Sequence, residues 1–460
     1  MALDPVFLSR LQFAFVMSFH ILFPSFTIGL AAYLAVLEGL WLKSGNTIYR
    51  RLSEFWVKIF AVSFGMGVVS GIVMSYQFGT NWSELIQVAG NVLGPLMGYE
   101  VVTAFFLEAT FLGILLFGRD RVAPWLYFVS SVVVSLGTLM SAFWILSANS
   151  WMQTPAGVEM RDGVLHVTSW LAVIFNPSFP FRFAHMLTAC FLTTAFVVGG
   201  VSAWYLRRDR VVGIARKGLS MALGLIVILA PLQVLIGDAH GLNTLEHQPA
   251  KIAAMEGHWK TEPGAPLILF ALPDAVRETN HYSIEIPKLG SLILTHDPEG
   301  TFTGLEDFPR DERPPVTPVF FSFRLMVGIG VLMVLIGLVG LWLRFRGRMH
   351  DTRWFLAVCQ YASPIGFVAI LAGWVTTEVG RQPWVAYGLL RTSDAVSPAI
   401  SGGNVLTSLI AFGVAYAFIF GFGLYYLYKI ARGGPKPVEE EHHTGHPTPM
   451  RPLSFPGESI

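Results

Sequence analysis

The chain has 460 residues, of which 53% are hydrophobic and 13% are charged, and its formal net charge is +1. This composition excludes an ordinary soluble protein, and the charge balance provides no basic surface for nucleic acid. We therefore predict an all-α integral membrane protein. Its first apolar run continues beyond His20 and is not followed by a small-residue cleavage site. We therefore expect a retained helix rather than a signal peptide.

Nine segments are long and apolar enough to cross a hydrocarbon layer of about 30 Å as helices. In chain order they are 12–42, 56–78, 95–117, 123–147, 181–206, 218–238, 319–343, 354–379 and 404–430. Pro24 and Pro231 fall inside them, which membrane helices tolerate. Cys190 and Cys359 also lie in apolar runs, and we expect both to be packing thiols. The predicted fold is a polytopic transmembrane helical bundle, with residues 1–435 forming one domain.

Lysine and arginine concentrate in alternate connections between these segments. The first, third, fifth and seventh contain KSGNTIYRR, GRDR, RRDRVVGIARK and RFRGRMHDTR, whereas residues 79–94 contain no Lys or Arg. Because positive loops face the cytoplasm, we predict the N-terminus outside and the C-terminus in the cytoplasm.

Two polar segments flank or interrupt the bundle. Residues 239–318 are too polar to cross and too long for a turn, so we predict an external functional loop or small subdomain. Residues 436–460 are predicted to form a disordered cytoplasmic tail, whose histidines we expect to be solvated rather than metal-binding.

Four possible iron ligands fall in the same outer half of the predicted bundle. Of twelve histidines, only His20 and His185 fall inside the predicted apolar helices. At 1.5 Å per residue, His20, His185 and Met326 lie about 12 Å, about 6 to 8 Å and about 10 Å below the outer face. Glu378 occupies the last turn of an outward-running helix. His185 and Met326 therefore suit one six-coordinate haem, although interhelical hydrogen bonding and plain packing are the alternatives.

Charged and aromatic residues surround this outer layer. Arg10, Arg324 and Arg381 either pair with haem carboxylates or extend toward lipid phosphates. Trp374 and Trp384 are candidates for the haem surroundings or for interfacial anchors.

The third helix contains two carboxylates and no cation. Eight residues of α-helix place Glu100 and Glu108 about 80° apart around the axis and about 12 Å apart along it. Such buried acids, together with Ser141, suit proton delivery to a buried centre. The alternative is a protonated carboxyl that bonds a neighbouring helix.

Several stretches of the sequence occur together in one known family. They are LSRLQFAF with His20, QFGTNW, AFFLEATF, SAFWIL with NSWMQ, FRFAHM, KIAAMEGHW, FRLM and GWVTTEVGRQPW. Along nearly its whole length the chain resembles subunit I of the cytochrome bd type quinol oxidases. The external segment resembles the short-loop type, and TTEVGRQPWVAYGLLRTSDA resembles the cyanide-insensitive branch.

The resemblance implies three haems. His185 and Met326 would bind a low-spin haem b, while His20 and Glu378 would bind a high-spin haem b and a third haem, d or b. The order of these last two is left open. Glu100 and Glu108 would carry protons or shape the haem pair.

The resemblance also implies an activity in the bacterial inner membrane. Lys251 and Glu256, which the residues alone would make a solvated loop pair, would bind quinol. Electrons would reduce dioxygen to water and generate a proton motive force without a pump. A second membrane subunit, a small single-helix subunit and the lipid bilayer are the implied partners. The rival functions are a b-type electron conduit and a non-haem transporter; ligands on one side and no internal repeat argue against them.

Overall fold

The computed structural model describes residues 4–436, and nine helices within them are long and apolar enough to cross a membrane. They are α1 Pro5–Ser44, α2 Thr47–Thr80, α3 Ser83–Phe117, α4 Pro124–Gln153, α5 Phe179–Leu206, α6 Val212–His247, α7 Val316–Phe345, α8 Arg353–Val379 and α9 Gly402–Gly433. The nine predicted segments are confirmed, and most helices extend beyond the predicted ends. The predicted tail, apart from residue 436, lies outside the described residues.

Polar caps set several of these helix ends. The carboxylate of Asp4 accepts a hydrogen bond from the N–H of Val6 at 2.9 Å, and Pro5 occupies the first helical position. Asn46 caps α2 through the N–H of Ile48 in the same way. Gly45, at φ 65°, ends α1 in the left-handed region, which permits the tight reversal into α2.

The third helix is not continuous α-helix. Its α-helical parts, Ser83–Glu100 and Phe106–Phe117, are joined by a π-helical turn at Val101–Phe105. A π turn accommodates more residues than an α turn, so Glu100 and Glu108 come nearer to one face than a regular helix allows. The predicted separation of about 80° or less assumed regular α geometry, and the π turn makes the angle smaller.

The odd-numbered connections lie together at one end of the bundle. Contacts that join them are Arg50–Asp120 at 3.2 Å, Arg207–Gln360 at 2.6 Å, Arg216–Asp351 at 2.9 Å and Lys217 over the Tyr49 ring at 5.5 Å. This shared, arginine-rich end agrees with the alternating charge pattern of the sequence.

The core between helices is filled by large apolar side chains. The largest that are fully buried include Trp56, Trp151, Tyr127, Phe60, Phe320 and Phe355. Close helix approach relies on small residues: a Cβ on Gly29 would lie 2.4 Å from Oγ1 of Thr194 on α5. That hydroxyl donates to the carbonyl of Phe26 at 2.9 Å and so joins α1 to α5.

Short elements cover the other end of the bundle. The strands are β1 Val158–Arg161, β2 Val164–Val167, β3 Glu262–Pro263, β4 Leu267–Asp274, β5 Thr279–Ile286, β6 Thr301–Phe302, β7 Trp384–Ala386 and β8 Leu390–Arg391. They pair antiparallel as β1–β2, β3–β6, β4–β5 and β7–β8, with Val158 opposite Val167 and Leu267 opposite Ile286. Short helices are Trp170–Ile174, Pro249–Glu256 and Leu289–Thr295, with 3-10 turns at Leu305–Asp307, Arg310–Glu312 and Thr392–Ala395.

The polar segment between α6 and α7 is shorter than predicted. Because α6 continues to His247 and α7 begins at Val316, the non-spanning part is 248–315, here called the 248–315 segment. It contains β3 to β6 and folds as a small subdomain on the helix ends. His240 and His247 therefore lie in α6, so the prediction that only two histidines occupy the long helices is wrong.

Candidate functional site

His20 lies on α1 with its ring against α2. Its Nδ1 is 3.1 Å from Oγ of Ser70, whose hydroxyl is 3.0 Å from each of the carbonyls of Met66 and Gly67. Since the serine proton is used on the backbone, Nδ1 of His20 donates and Nε2 keeps its lone pair. A Cβ on Gly71 would lie 3.2 Å from Cε1 of this ring. This arrangement suits a metal ligand held through its other nitrogen.

His185, near the start of α5, is half-buried beside α6. Its Nδ1 is buried without a hydrogen-bond partner. A Cβ on Gly237 would lie 3.4 Å from Cε1 of the ring, and the His240 ring centroid is 5.4 Å away. An imidazole that lacks a protein partner in this way fits the coordination of a haem iron.

Met326 on α7 packs against a glycine of the neighbouring helix α8. A Cβ on Gly373 of α8 would lie 2.8 Å from its Sδ. The thioether thus occupies the space that a glycine leaves on the neighbouring helix. A thioether is an established sixth ligand of haem iron.

Glu378 ends α8 in a dense polar cluster. Its Oε1 accepts from Nδ2 of Asn149 at 2.9 Å and from Nε2 of Gln153 at 3.4 Å. Its Oε2 accepts from Nη2 of Arg381, which is itself buried. The carboxylate is therefore fixed in orientation by donors from α4 and from the turn that follows α8.

Lys251, on the short helix Pro249–Glu256, joins the same cluster. It is 3% exposed, and its Nζ donates to Oε1 of Gln153 at 2.6 Å. Burial, Arg182 and Arg381 hold the pKa of Lys251 well below its ordinary value, while Glu378 opposes that change. Burial also lowers the pKa of Arg381, again opposed by Glu378.

The cluster contains more buried positive than negative charge. Arg182, Lys251 and Arg381 interact with the single carboxylate of Glu378. Nε of Arg182, and Nε and Nη1 of Arg381, are buried without hydrogen-bond partners. Buried guanidinium N–H groups require acceptors, so the site fits a bound anion such as a haem carboxylate.

Glu256 and Arg324 form a second buried pair. Nη2 of Arg324 donates to Oε2 of Glu256 at 2.7 Å, and its Nε donates to the carbonyl of Ile268 at 2.7 Å. Lys251 and Glu256 are both buried, so the interpretation of a solvated loop pair is wrong. Arg324 attaches the 248–315 segment to α7.

The two carboxylates of α3 face α4. Oγ of Ser141 donates to Oε1 of Glu100 at 2.7 Å. Glu108 is 5% exposed, its Oε1 is buried without a partner, and a Cβ on Gly137 would lie 2.6 Å from its Cγ. Ser141 and Gly137 are one helical turn apart, so one face of α4 contacts both acids.

Two further predicted residues lie apart from these contacts. Arg10 is exposed on α1, and Trp374 is half-buried on α8. Their roles at a haem stay predictions.

Sequence reasoning did not assign four residues of the site. Asn149 and Gln153 belong to NSWMQ, Arg182 to FRFAHM, and His240 lies beyond the predicted end of its helix. The first three stand in motifs that carried the family resemblance. Uncharged amides carry no membrane-insertion signal as strong as that of a buried charge, which explains why Asn149 and Gln153 were missed.

The candidate iron ligands stand singly on separate helices. Among residues 4–436, no group of three or more His, Cys, Asp and Glu side chains gathers as a metal-ion site. Haem needs only one or two protein ligands, because the porphyrin supplies the remainder. A nine-helix bundle with isolated candidate His and Met ligands fits the class of membrane-embedded haem oxidoreductases.

Comparison with known proteins identifies the family. The profile of "Cytochrome bd terminal oxidase subunit I" matches residues 8–435, and the chain belongs to this family. It is 36% identical over 459 residues to "Cytochrome bd ubiquinol oxidase subunit 1" of Bacillus subtilis (strain 168), covering 97% of each chain. It is 34% identical over 511 residues to "Cytochrome bd-II ubiquinol oxidase subunit 1" of Escherichia coli (strain K12), covering 96% of this chain and 99% of that one.

A solved structure shows the same architecture. The bd oxidase from Geobacillus thermodenitrificans superposes with a TM-score of 0.88 at 32% identity, covering 94% of this chain and 100% of that chain. The chain is thus a haem-containing subunit of a quinol oxidase in the bacterial inner membrane, as the sequence predicted. These matches do not support the electron conduit or the transporter.

Proposed function

We propose that this subunit holds three haems and takes electrons from quinol for dioxygen reduction. His185 and Met326 hold a low-spin haem b; His20 and Glu378 hold a high-spin haem b and a third haem, d or b. Bound haem supplies one-electron transfer and the reduction of dioxygen to water. The observation that carries the proposal is the buried cationic cluster at Glu378, whose unpartnered N–H groups need an anion.

Lys251 and Glu256 bind the quinol. Lys251 lies next to the polar cluster of Glu378, and Glu256 is fixed by Arg324 at 2.7 Å, so both side chains are held close to the helix bundle. Relatives are named ubiquinol oxidases, and a further one, 32% identical over 448 residues, is named a putative menaquinol oxidase of Bacillus subtilis (strain 168). The quinone ring is therefore left open.

Glu108, Glu100 and Ser141 deliver protons for the reduction of dioxygen. Ser141 bonds Glu100 at 2.7 Å, and Glu108 faces the same helix with a free buried oxygen. Protons from quinol leave on the outer face and protons for water enter from the cytoplasm. This separation generates a proton motive force without a pump.

Arg381 neutralises a haem carboxylate, and Arg182 is positioned to assist. Arg10, Arg324 and Trp374 are further candidates for the haem boundary, although Arg324 is already bonded to Glu256 and Ile268. Displacement of Arg324 toward a haem would break the contact that attaches the 248–315 segment.

A second membrane subunit and quinol complete the oxidase. Large side chains on α9, including Phe418, Phe422 and Tyr425, point outward and suit either lipid or that subunit. A small single-helix subunit is a further candidate partner. Residues 1–435 form the haem domain, with the N-terminus outside and the 239–318 region external.

Substitution of the proposed low-spin ligands tests the assignment. We expect His185→Ala and Met326→Leu each to abolish the low-spin haem spectrum in a protein that still inserts, because each removes one axial ligand. Met333→Leu, a buried methionine on the same helix, and His350→Ala, at the arginine-rich end, are the controls. An unchanged spectrum in the first two variants would remove those residues from the ligand set.

A pyridine haemochrome spectrum of the purified complex separates haem b from haem d. A spectrum that contains haem b alone would assign the third haem as b.

A further inference from the structure

Gln153, the last residue of α4, connects two functional parts of the protein. It is fully buried, and its Oε1 accepts from Nζ of Lys251 at 2.6 Å while its Nε2 donates to Oε1 of Glu378 at 3.4 Å. Its backbone carbonyl accepts from Nε2 of Gln248 at 2.7 Å. Gln153 therefore contacts the short helix Pro249–Glu256, the residue before that helix, and the end of α8.

Chemistry fixes the orientation of this amide. An ionised carboxylate only accepts hydrogen bonds, and the Lys251 amine has N–H donors in either protonation state. Oε1 of Gln153 must therefore face Lys251, and Nε2 must face Glu378. A glutamate here would repel Glu378, and a leucine would leave the Lys251 ammonium without its acceptor.

The Glu378 carboxylate has two other side-chain donors. Asn149, one turn earlier on α4, donates to the same Oε1 at 2.9 Å, and Arg381 donates to Oε2. The hydrogen bond from Gln153 is the longest of these and is the one that also depends on Lys251. One planar group thus connects Lys251 to Glu378.

We propose that Gln153 is a positioning residue that couples quinol binding at Lys251 to the orientation of the Glu378 carboxylate. This inference rests on the proposed function, in which Lys251 contacts quinol and Glu378 binds a haem iron. A quinol oxygen that accepts from Nζ draws Lys251 away from Oε1 of Gln153. The Gln153 amide then turns, and the hydrogen bond from its Nε2 to Oε1 of Glu378 lengthens.

The test uses Gln153→Leu and Gln153→Asn in the complete oxidase. The two measurements are the KM and kcat for a short-chain quinol, and the optical spectra of the haems without substrate. We expect Gln153→Leu to lower KM, by up to about tenfold, since quinol no longer competes with the amide for Nζ of Lys251. It should also perturb the spectrum of the haem at Glu378 and leave the low-spin spectrum unchanged.

Gln153→Asn keeps the amide on a shorter side chain and should show smaller changes in both measurements. The matched control is Gln360→Leu, which removes an amide bonded to Arg207 at the opposite end of the bundle. Neither KM nor any haem spectrum should change in this control.

A non-oxidisable quinone analogue measures the coupling directly. Titration of the analogue into the wild-type oxidase should shift the spectrum of the haem at Glu378, and Gln153→Leu should abolish that shift. Retention of the shift, or a change in KM without a spectral change, would overturn the coupling. If Gln153→Leu does not assemble, Gln153→Asn decides by the same two measurements.

Glu378→Gln separates this inference from the proposed function. If it leaves every haem spectrum unchanged, Glu378 is not an iron ligand and that part of the proposed function fails. If it perturbs a haem while Gln153→Leu perturbs none, only the coupling fails.

Discussion

Glu108 shows what a single buried carboxylate contributes at the residue scale. It packs against Gly137, and one of its oxygens has no hydrogen-bond partner in the described part of the chain. A group that keeps an open bonding position inside the bundle is available to receive and release protons.

We expect Glu108→Gln to lower oxygen consumption at least about tenfold while haem content stays constant, because the amide cannot carry a proton. Oxygen-electrode rates, normalised to haem, provide the measurement. Glu84→Gln, in the first turn of the same helix, is the control. Normal turnover in Glu108→Gln would count against the proton role.

At the residue scale, the sequence draws attention to side chains that are costly in a membrane, and their assigned roles stay predictions. His20, His185, Glu108 and Glu378 stand out among apolar neighbours, and the structure places each of them against a packed helix. Gln153 did not stand out, because its role depends on partners 98 and 225 positions away along the chain.

At the element scale, Gly373 allows α8 to approach α7 closely near Met326. We expect Gly373→Ala to displace the Met326 thioether, because the new Cβ would lie 2.8 Å from Sδ. The low-spin haem spectrum should shift, and the midpoint potential should fall, since methionine ligation raises it.

The control for this variant is Gly328→Ala on α7, where a Cβ would meet no atom within 4 Å. A redox titration followed at the low-spin band provides the comparison. Identical potentials in both variants would show that Gly373 does not position the ligand.

The hairpin of β4 and β5 is restrained by an ion pair that responds to pH. A hydrogen bond from Arg313 at 3.0 Å and the charges of Arg313 and Arg310 hold the pKa of Glu278 below its ordinary value. The ion pair therefore stabilises the hairpin above the pKa of Glu278 in the unfolded chain, which is about 4.3. This stabilisation is lost as the pH falls through the lower pKa of Glu278 in the folded protein.

We expect Glu278→Gln to increase hydrogen exchange of the β5 amides at pH 6. After correction for intrinsic exchange rates, the exchange should match that of the wild type in strong acid, where Glu278 is protonated. Glu285→Gln, on the exposed side of the same hairpin, should leave exchange unchanged. Equal protection in Glu278→Gln and the wild type would show that the ion pair does not restrain the hairpin.

Element boundaries were the less predictable part of the fold. Apolar length predicted nine helices because a membrane requires it, but polar residues such as Asn243 and His247 extend α6 without an apolar signal. The π turn at Val101–Phe105 likewise follows from packing against α4 and leaves no periodic pattern in the sequence.

At the scale of the whole molecule, a buried ion pair between Arg119 and Glu38 helps to hold the arginine-rich end together. Arg119 donates to Glu38 with both terminal nitrogens, one at 2.9 Å, and Glu38 is 1% exposed. Cζ of Arg119 lies 4.0 Å from the centroid of the Tyr127 ring. This contact joins α1 to the connection between α3 and α4.

We expect Arg119→Ala to destabilise the protein by about 3 kcal/mol or more, because Glu38 would remain buried without its cation. Thermal unfolding of the purified protein in detergent provides the measurement. Arg121→Ala, at an exposed position of the same connection, should change the unfolding temperature little. A smaller loss for Arg119→Ala than for Arg121→Ala would contradict this account.

The attachment of the 248–315 segment has a consequence for biosynthesis. Its two buried anchors bond Lys251 to a residue 98 positions earlier and Glu256 to a residue 68 positions later. A nascent chain that has emerged through the short helix Pro249–Glu256, but not yet through α7, can form the first anchor but not the second. Completion of the proposed quinol site must therefore await synthesis of α7, which places its maturation late in translation.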